Sequence, residues 1–316
     1  MPWFTFHFQD FAFSFLSVLL EAVPFLLLGS LLSGLVEVFV PAKWFQKIMP
    51  HGGLPAVLVS GLLGALLPIC ECGSVVVVRR LIRKGLPISC AVTYMLAAPI
   101  VSPVVALSTW MAFKGQDPGL MTFLRLGLGY GLAVMVGLIM LRIRTERWVQ
   151  PALLASAAQA SRSAMKVAAA PSDLDTLASA SVWGRLNLAG RAAVSDFLDV
   201  ALFLVIGVAI TSVFGTAVNQ QILTPLATNS FLATPVLMLF AVVLALCSTS
   251  DAFIAASLVQ WPFVSKLAFL VYGPMFDLKL FFLYGVIFKR RGVIVLALGL
   301  FIAVALICTR LEVLRP

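Results

Sequence analysis

Five long apolar runs decide what this chain can fold into: Val57 to Ile69, Leu120 to Leu141, Val200 to Phe214, Leu237 to Cys247 and Val293 to Cys308, each extended by weakly polar flanks. A helix rising ~1.5 Å per residue needs ~20 such residues to cross ~30 Å of hydrocarbon. Barrel strands alternate apolar and polar residues over ~10 positions, and these runs do not, which excludes a barrel. Only 11% of the 316 residues are charged, while 61% are hydrophobic. A soluble domain carries about 25% charged residues, so most of this surface must face something other than water. The fold class that follows is all-α, a polytopic helical membrane protein in contact with the lipid bilayer.

A further stretch near the N-terminus, Phe11 to Val40, reads as a retained first span. It lacks a basic n-region, contains Glu21 and Pro24, and continues past Gly34 without a cleavage signature. Eight transmembrane helices are expected, at about 11–40, 55–78, 88–113, 120–141, 192–218, 232–259, 263–288 and 292–310. The net charge of +9 sits in short connections and a central linker: Arg79, Arg80, Arg83 and Lys84; Arg142, Arg144 and Arg147; Arg162, Lys166, Arg185 and Arg191. The positive-inside rule produces that pattern, so no nucleic acid is needed to explain it. The five cysteines, at 70, 72, 90, 247 and 308, fall in or beside spans, which argues against a secreted disulfide framework.

The chain divides into a first four-helix repeat over 1–141, a basic Ala/Ser-rich linker over 142–191, and a second four-helix repeat over 192–316. Within the linker, Ser161 to Ser181 has little to bury. The halves resemble each other. Glu21-Ala-Val-Pro-Phe25-Leu-Leu-Leu-Gly29 aligns with Asp199-Val-Ala-Leu-Phe203-Leu-Val-Ile-Gly207, Cys70 with Cys247, Pro87 with Pro262, and Pro99 with Pro274, at offsets of 175 to 178 residues. Internal duplication is a common way to build two gates around one transport site. Four spans per half give parallel repeats; a re-entrant segment would make them inverted. With the N-terminus, the Arg79–Lys84 connection and the linker inside, Lys289-Arg290-Arg291 falls outside, against the charge rule.

Leu67-Pro68-Ile69-Cys70-Glu71-Cys72-Gly73-Ser74 places a carboxylate and two thiols beside helix-weakening Pro68 and Gly73. Backbone groups freed there must be satisfied by a cavity, a ligand or neighbouring helices. In an unwound segment, Cys70 and Cys72 could converge on one soft electrophile or metal ion; as bland fillers they would simply pack. The counterpart Leu246-Cys247-Ser248-Thr249-Ser250-Asp251 offers Cys247, Ser250 and Asp251 as further lining groups. Ala97-Ala98-Pro99-Ile100-Val101-Ser102-Pro103 and Tyr272-Gly273-Pro274-Met275-Phe276-Asp277-Leu278-Lys279 mark two more breaks near the midplane. Asp277 and Lys279 at that depth are expected to neutralise each other or a partner such as Asp251. Glu21 and Asp199 hold equivalent places and read as a symmetric proton-binding or gating pair. Asp196, nearer a span end, reads as solvated at the interface. His7 and His51 receive no role. There is no Walker motif, nucleophile elbow, His-Glu-x-x-His or dinucleotide fingerprint, so neither an enzyme nor a cofactor is expected.

Pro68-Ile69-Cys70-Glu71-Cys72-Gly73, Gly85-Leu86-Pro87 and Ala97-Ala98-Pro99-Ile100-Val101-Ser102-Pro103, with Ser250-Asp251 and Tyr272-Gly273-Pro274-Met275-Phe276-Asp277 and Lys279, resemble the predicted-permease family that includes the organoarsenical efflux permeases. The resemblance implies an eight-span inner-membrane permease and, for characterised members, export of trivalent organoarsenicals through membrane-embedded cysteines. The family is broad, so fold and permease activity transfer better than cargo.

The reading from sequence is a secondary transporter for a small solute or ion, moving a thiol-seeking solute such as a trivalent organoarsenical outward. Cys70, Cys72 and Cys247 would hold the solute, with Ser250 lining the site; Glu71, Asp251 and Asp277 would compensate charge or couple to protons, with Lys279, Pro99 and Pro274 at the gating breaks. Two alternatives stand beside it. One is a membrane-embedded thiol oxidoreductase cycling Cys70 and Cys72. The other is a non-transporting membrane subunit that anchors a partner through the linker. Substrate, coupling ion, metal binding and oligomeric state stay open.

Overall fold

A computed structural model describes residues 8–39, 53–66, 69–83, 85–143, 148–151, 153–155, 182–217 and 230–314. Pro68, His7, His51, Trp44 and the 161–181 stretch lie outside the described residues. The described helices are α1 (Phe8–Phe39), α2 (Leu54–Leu66), α3 (Glu71–Arg83), α4 (Ile88–Ala97), α5 (Pro103–Ala112) and α6 (Pro118–Arg142), followed by α7 (Val182–Ala217), α8 (Ser230–Leu244), α9 (Asp251–Ser257), α10 (Phe263–Met275), α11 (Leu278–Tyr284) and α12 (Arg290–Leu314). The protein is all-α and polytopic. One long helix, two interrupted pairs and another long helix follow in that order, twice.

The helices are apolar enough to bury in lipid on one side and in protein on the other. Phe13, Leu20, Phe123, Leu198, Leu202, Leu298 and Ile302 on α1, α6, α7 and α12 are exposed, as lipid-facing side chains are. The core is built from the interrupted helices. Ser89 to Ala97 of α4 is wholly buried, and so is nearly all of α10 and most of α3. Five segments are long and apolar enough to span: Phe8–Leu35, Pro118–Arg142, Leu186–Val213, Phe263–Tyr284 and Arg290–Leu311. The helix of the fifth expected span begins ten residues earlier than the sequence indicated, at Val182.

Contacts at the helix ends sort these elements into two rims. At the first rim, Arg79 and Arg80 near the end of α3 pair with Asp199 and Asp196 of α7. Beyond α6, the Trp148 carbonyl accepts from the Lys289 amide, and Gln150 donates to the Ile287, Gly285 and Phe288 carbonyls. The C-terminal part of α1 joins this rim through Ser33, which donates to Asp196, and Gly34, which abuts Ala189. At the second rim, Gln116 after α5 donates to the Ala256 carbonyl at the end of α9 and accepts from Lys266 at the start of α10. Thr234 of α8 bonds Ser265 of α10 there.

These contacts fix the course of the broken pairs. Val57 of α2 lies beside Gly137 near the end of α6, whereas Gly64 abuts Ala98 at the centre. The pair α2 and α3 therefore enters from the first rim and returns to it. The pair α8 and α9 does the same from the second rim. At ~1.5 Å per residue the 13 residues of α2 cover only about 20 Å, too little to cross alone. By contrast, α4 with α5 and α10 with α11 run from one rim to the other.

Among the described residues, the apolar runs at 55–78 and 232–259 turn at their breaks rather than continuing as single helices. Two consequences follow for sidedness. Lys289-Arg290-Arg291 lies on the Arg79 rim, not opposite it, and the start of α1 lies on the rim opposite Arg79. Tags fused before α1 and after α12 should be labelled by an impermeant reagent from the same membrane face. A tag inserted between 156 and 181 should be labelled from the other face. Eight crossings would put all three on one side.

Candidate functional site

The four breaks meet near the middle of the molecule, and what meets there is charge. A helix interrupted in hydrocarbon leaves carbonyls with no intrahelical donor, at a cost of several kcal/mol each if nothing replaces it. At the break between α8 and α9, residues 245 to 250, the Ala245 and Leu246 carbonyls accept from Lys279 Nζ at 2.9 and 3.4 Å. Ala245 holds φ at +43°, a left-handed conformation that a non-glycine residue adopts only under constraint. The next free carbonyl, Ser248, accepts from Arg125 at 2.8 Å. At the break between α10 and α11, the Tyr284 hydroxyl donates to the Met275 carbonyl at 2.9 Å. Asp277 caps α11 by accepting from the Leu280 amide at 2.7 Å.

At the centre, two further ion pairs tie the halves together. Lys279, the second residue of α11, donates to Glu71 Oε1, the first residue of α3, at 2.9 Å, and stands 3.4 Å from Asp277 Oδ2. Arg125 of α6 places Nη2 2.9 Å from both oxygens of Asp251, the first residue of α9, and its Nη1 donates to Thr109 of α5 at 2.8 Å. All five charged groups are buried. The arrangement is reciprocal. Each re-entrant hairpin presents an acid at the start of its returning helix, and the cation that meets it comes from the opposite half. The packing follows suit, with α3 against α11 and α5 against α9.

Glycines allow the close approach. A Cβ on Gly207 of α7 would lie 2.9 Å from the Lys279 Cα, and one on Gly29 of α1 would lie 2.8 Å from the Gly73 Cα. These are the paired glycines of the two aligned sequence blocks, and each lets a long helix seat directly on the start of a half-helix, α3 for Gly29 and α11 for Gly207.

The thiols line the same region. Cys72 and Cys247 are buried, Cys70 is half-buried, and all are free. Cys70 Sγ accepts from the Gly73 amide at 3.4 Å. Thr249 Oγ1 lies 3.8 Å from Cys247 Sγ. Ser250 donates to Glu21 Oε1 at 3.3 Å, which brings the middle of α1 to the site. Among the described residues, no three His, Cys, Asp or Glu side chains are grouped to hold a metal ion.

Several expectations are met differently. Lys279 neutralises Glu71 together with Asp277, and not Asp251. Asp251 is held by Arg125, an arginine inside the apolar run Leu120 to Leu141 that the sequence reading passed over although its charge there was the signal. Asp199 is the shallower of the two aspartates, its side chain 45% exposed beside Arg79, while Asp196 is buried against Arg80 and Ser33. Because α7 begins at Val182, both aspartates lie well inside the helix rather than near its start. Asp199 therefore does not mirror Glu21 at the centre. Pro99 lies within the break between α4 and α5, and Pro274 is the penultimate residue of α10.

Five helices long enough to span, around paired broken helices with ionised groups sealed at their junction, define a multi-pass membrane protein. The predicted-permease family model ArsP_1 matches residues 7–311, and the chain belongs to that family. UPF0718 protein YcgR of Bacillus subtilis is 34% identical over 284 residues, covering 89% of this chain and 90% of that one. A candidate two-component membrane permease complex subunit from Streptococcus mutans is 31% identical over 281 residues, covering 89% and 87%. No solved structure matches. The family is one of permeases rather than enzymes, and its multi-pass character agrees with the cell (inner) membrane.

The pair Arg125–Asp251 tests the electrostatic account. Asp251→Ala leaves a buried guanidinium unpaired and should cost about 3–5 kcal/mol. The double variant Arg125→Met, Asp251→Leu removes both charges and should be less destabilised than Asp251→Ala. Thermal unfolding in detergent compares them.

Proposed function

We propose that this permease is a secondary transporter working by alternating access, its two halves acting as inverted repeats around the central breaks. The observation that carries this is the reciprocal pair of inter-half ion pairs. Three crossings per half make the halves opposite in direction, and each contributes one hairpin that enters from its own rim. On this reading Glu71–Lys279 belongs to the first-rim gate and Asp251–Arg125 to the second-rim gate. Breaking one pair while keeping the other would open the centre to one side at a time. The basic residues Arg79, Arg80, Arg83, Arg142, Lys289, Arg290 and Arg291 gather on the first rim, which favours placing that rim in the cytoplasm. The run Lys289–Arg291 then obeys the charge rule.

Cys70, Cys72 and Cys247, beside the first-rim pair, suit a soft, thiol-seeking solute such as a trivalent organoarsenical, moved outward. Ser250 and Glu21 would line the path, and Pro99 and Pro274 mark the breaks that bend. Asp199 keeps a gating role only at the rim, through Arg79. The Streptococcus mutans relative is named for a two-component complex, which supports a second reading in which a partner subunit completes the permease. A thiol oxidoreductase finds less support, since no cofactor motif accompanies the cysteines.

Everted membrane vesicles test the transport reading. Trivalent methylarsenic and other soft solutes should accumulate in vesicles carrying the wild-type protein, and at least tenfold less in those carrying Cys70→Ser, Cys72→Ser. Equal accumulation by both would sink the thiol role while leaving the permease reading. The same cysteines report on the gates. Glu71→Gln should raise labelling of Cys70 by an impermeant thiol reagent from the first-rim side only, and Asp251→Asn from the second-rim side only. Labelling that changes identically from both sides would remove the two-gate reading.

A further inference from the structure

Three acids face two bases in the buried centre: Glu71, Asp251 and Asp277 against Arg125 and Lys279. Arg125 engages both oxygens of Asp251, so that pair is closed. Lys279 alone must answer two carboxylates. It bonds Glu71 Oε1 at 2.9 Å and lies 3.4 Å from Asp277 Oδ2. The other Glu71 oxygen, Oε2, and Asp277 Oδ2 are buried with no hydrogen-bond partner. Among the described residues, the remaining groups around them bring no positive charge. Cys70 and Cys72 flank Glu71 and Cys247 lies on the facing break. Tyr284 is committed to the Met275 carbonyl, Tyr272 donates to the Ala297 carbonyl, and half-buried Glu21 adds a further acid. An uncompensated carboxylate in so dry a place would be expelled, neutralised or filled by a cation.

We propose that the Glu71–Lys279–Asp277 triad is a binding site for one further positive charge, taken up at Glu71 Oε2 and Asp277 Oδ2. The charge is a proton or a small monovalent cation; a multivalent metal is disfavoured because no three ligating side chains are grouped there among the described residues. Built on the permease reading, this site is where the coupling ion loads. Lys279 links it to the first-rim gate, because the same ammonium bridges α3 and α11. Occupancy of Glu71 by the incoming charge competes with its bond to Lys279, so loading and gate opening become one event.

Infrared spectroscopy of the purified protein in lipid nanodiscs tests the site without any solute. If the charge is a proton, the wild type shows one exchangeable carboxylic-acid carbonyl band at neutral pH. Glu71→Gln or Asp277→Asn removes it, since either leaves one acid against Lys279, and Lys279→Met doubles it. If the charge is a small cation, that band is absent, and sodium or potassium chloride raises the Tm of the wild type but not of Glu71→Gln, with choline chloride as the control. Cys70→Ser, Cys72→Ser leaves either signature in place. Absence of both signatures overturns the proposal, as does a band that all three triad variants leave unchanged. Failure of every solute to move in vesicles would instead count against the transport reading, with the triad result standing by itself.

Discussion

The structure turns on one ammonium group. Lys279 Nζ holds a carboxylate from the opposite half and two carbonyls that a broken helix has released, all out of reach of water. Remove it, and α8 ends on unsatisfied carbonyls while α3 begins on an unpaired acid. Hydrocarbon would penalise both by several kcal/mol. The surrounding geometry serves this contact. Gly207 lets α7 press against the Lys279 backbone, Ala245 adopts a left-handed turn next to the carbonyl it offers, and Asp277 caps the short helix that delivers the lysine. Arg125 does the equivalent work for the Ser248 carbonyl and Asp251.

Cations solve a problem that interrupted helices create. An unbroken span satisfies its own backbone and needs no charge, but it cannot form a polar centre. Four interruptions supply that centre, and every carbonyl they release that is named above is met by Lys279, Arg125 or Tyr284. On the proposed alternating-access reading, the same bonds that stabilise the closed centre are the ones that must exchange as it opens. A salt bridge buried between halves suits that role because its net stabilisation is small while its geometric demand is high. The buried pair Arg80–Asp196, fixed by Ser33 where α1, α3 and α7 meet, has no break beside it and reads as a structural clasp.

Much of this was legible in the chain itself. The length and apolarity of the runs determined an all-α membrane protein. Proline, glycine and buried acids marked interruptions within Leu67–Ser74, Ala97–Pro103, Leu246–Asp251 and Tyr272–Lys279, and the cysteines and carboxylates there do come together. Local chemistry suffices for such features because a helix breaks where its own residues cannot continue it. The charge of Arg125 was equally visible, yet its partner was not, since Asp251 lies 126 positions away.

Only the tertiary structure decided which broken helices fold back on themselves and which run on. A re-entrant hairpin and a kinked span have the same hydropathy, and the difference lies in where the second half-helix finds its neighbours. Arg79 and Arg80 find Asp199 and Asp196, and Ala256 finds Gln116, so α3 and α9 return to the rims they came from. Depth was likewise a tertiary property. Asp196 and Asp199 differ by three residues, but the helix they share meets Arg80 and Ser33 on one side and open surroundings on the other. Sequence determined that charges would lie in the membrane, because composition fixes what must be buried. Packing between distant segments decided which charge answers which, because a buried ion is stabilised only by a partner brought within a few ångströms.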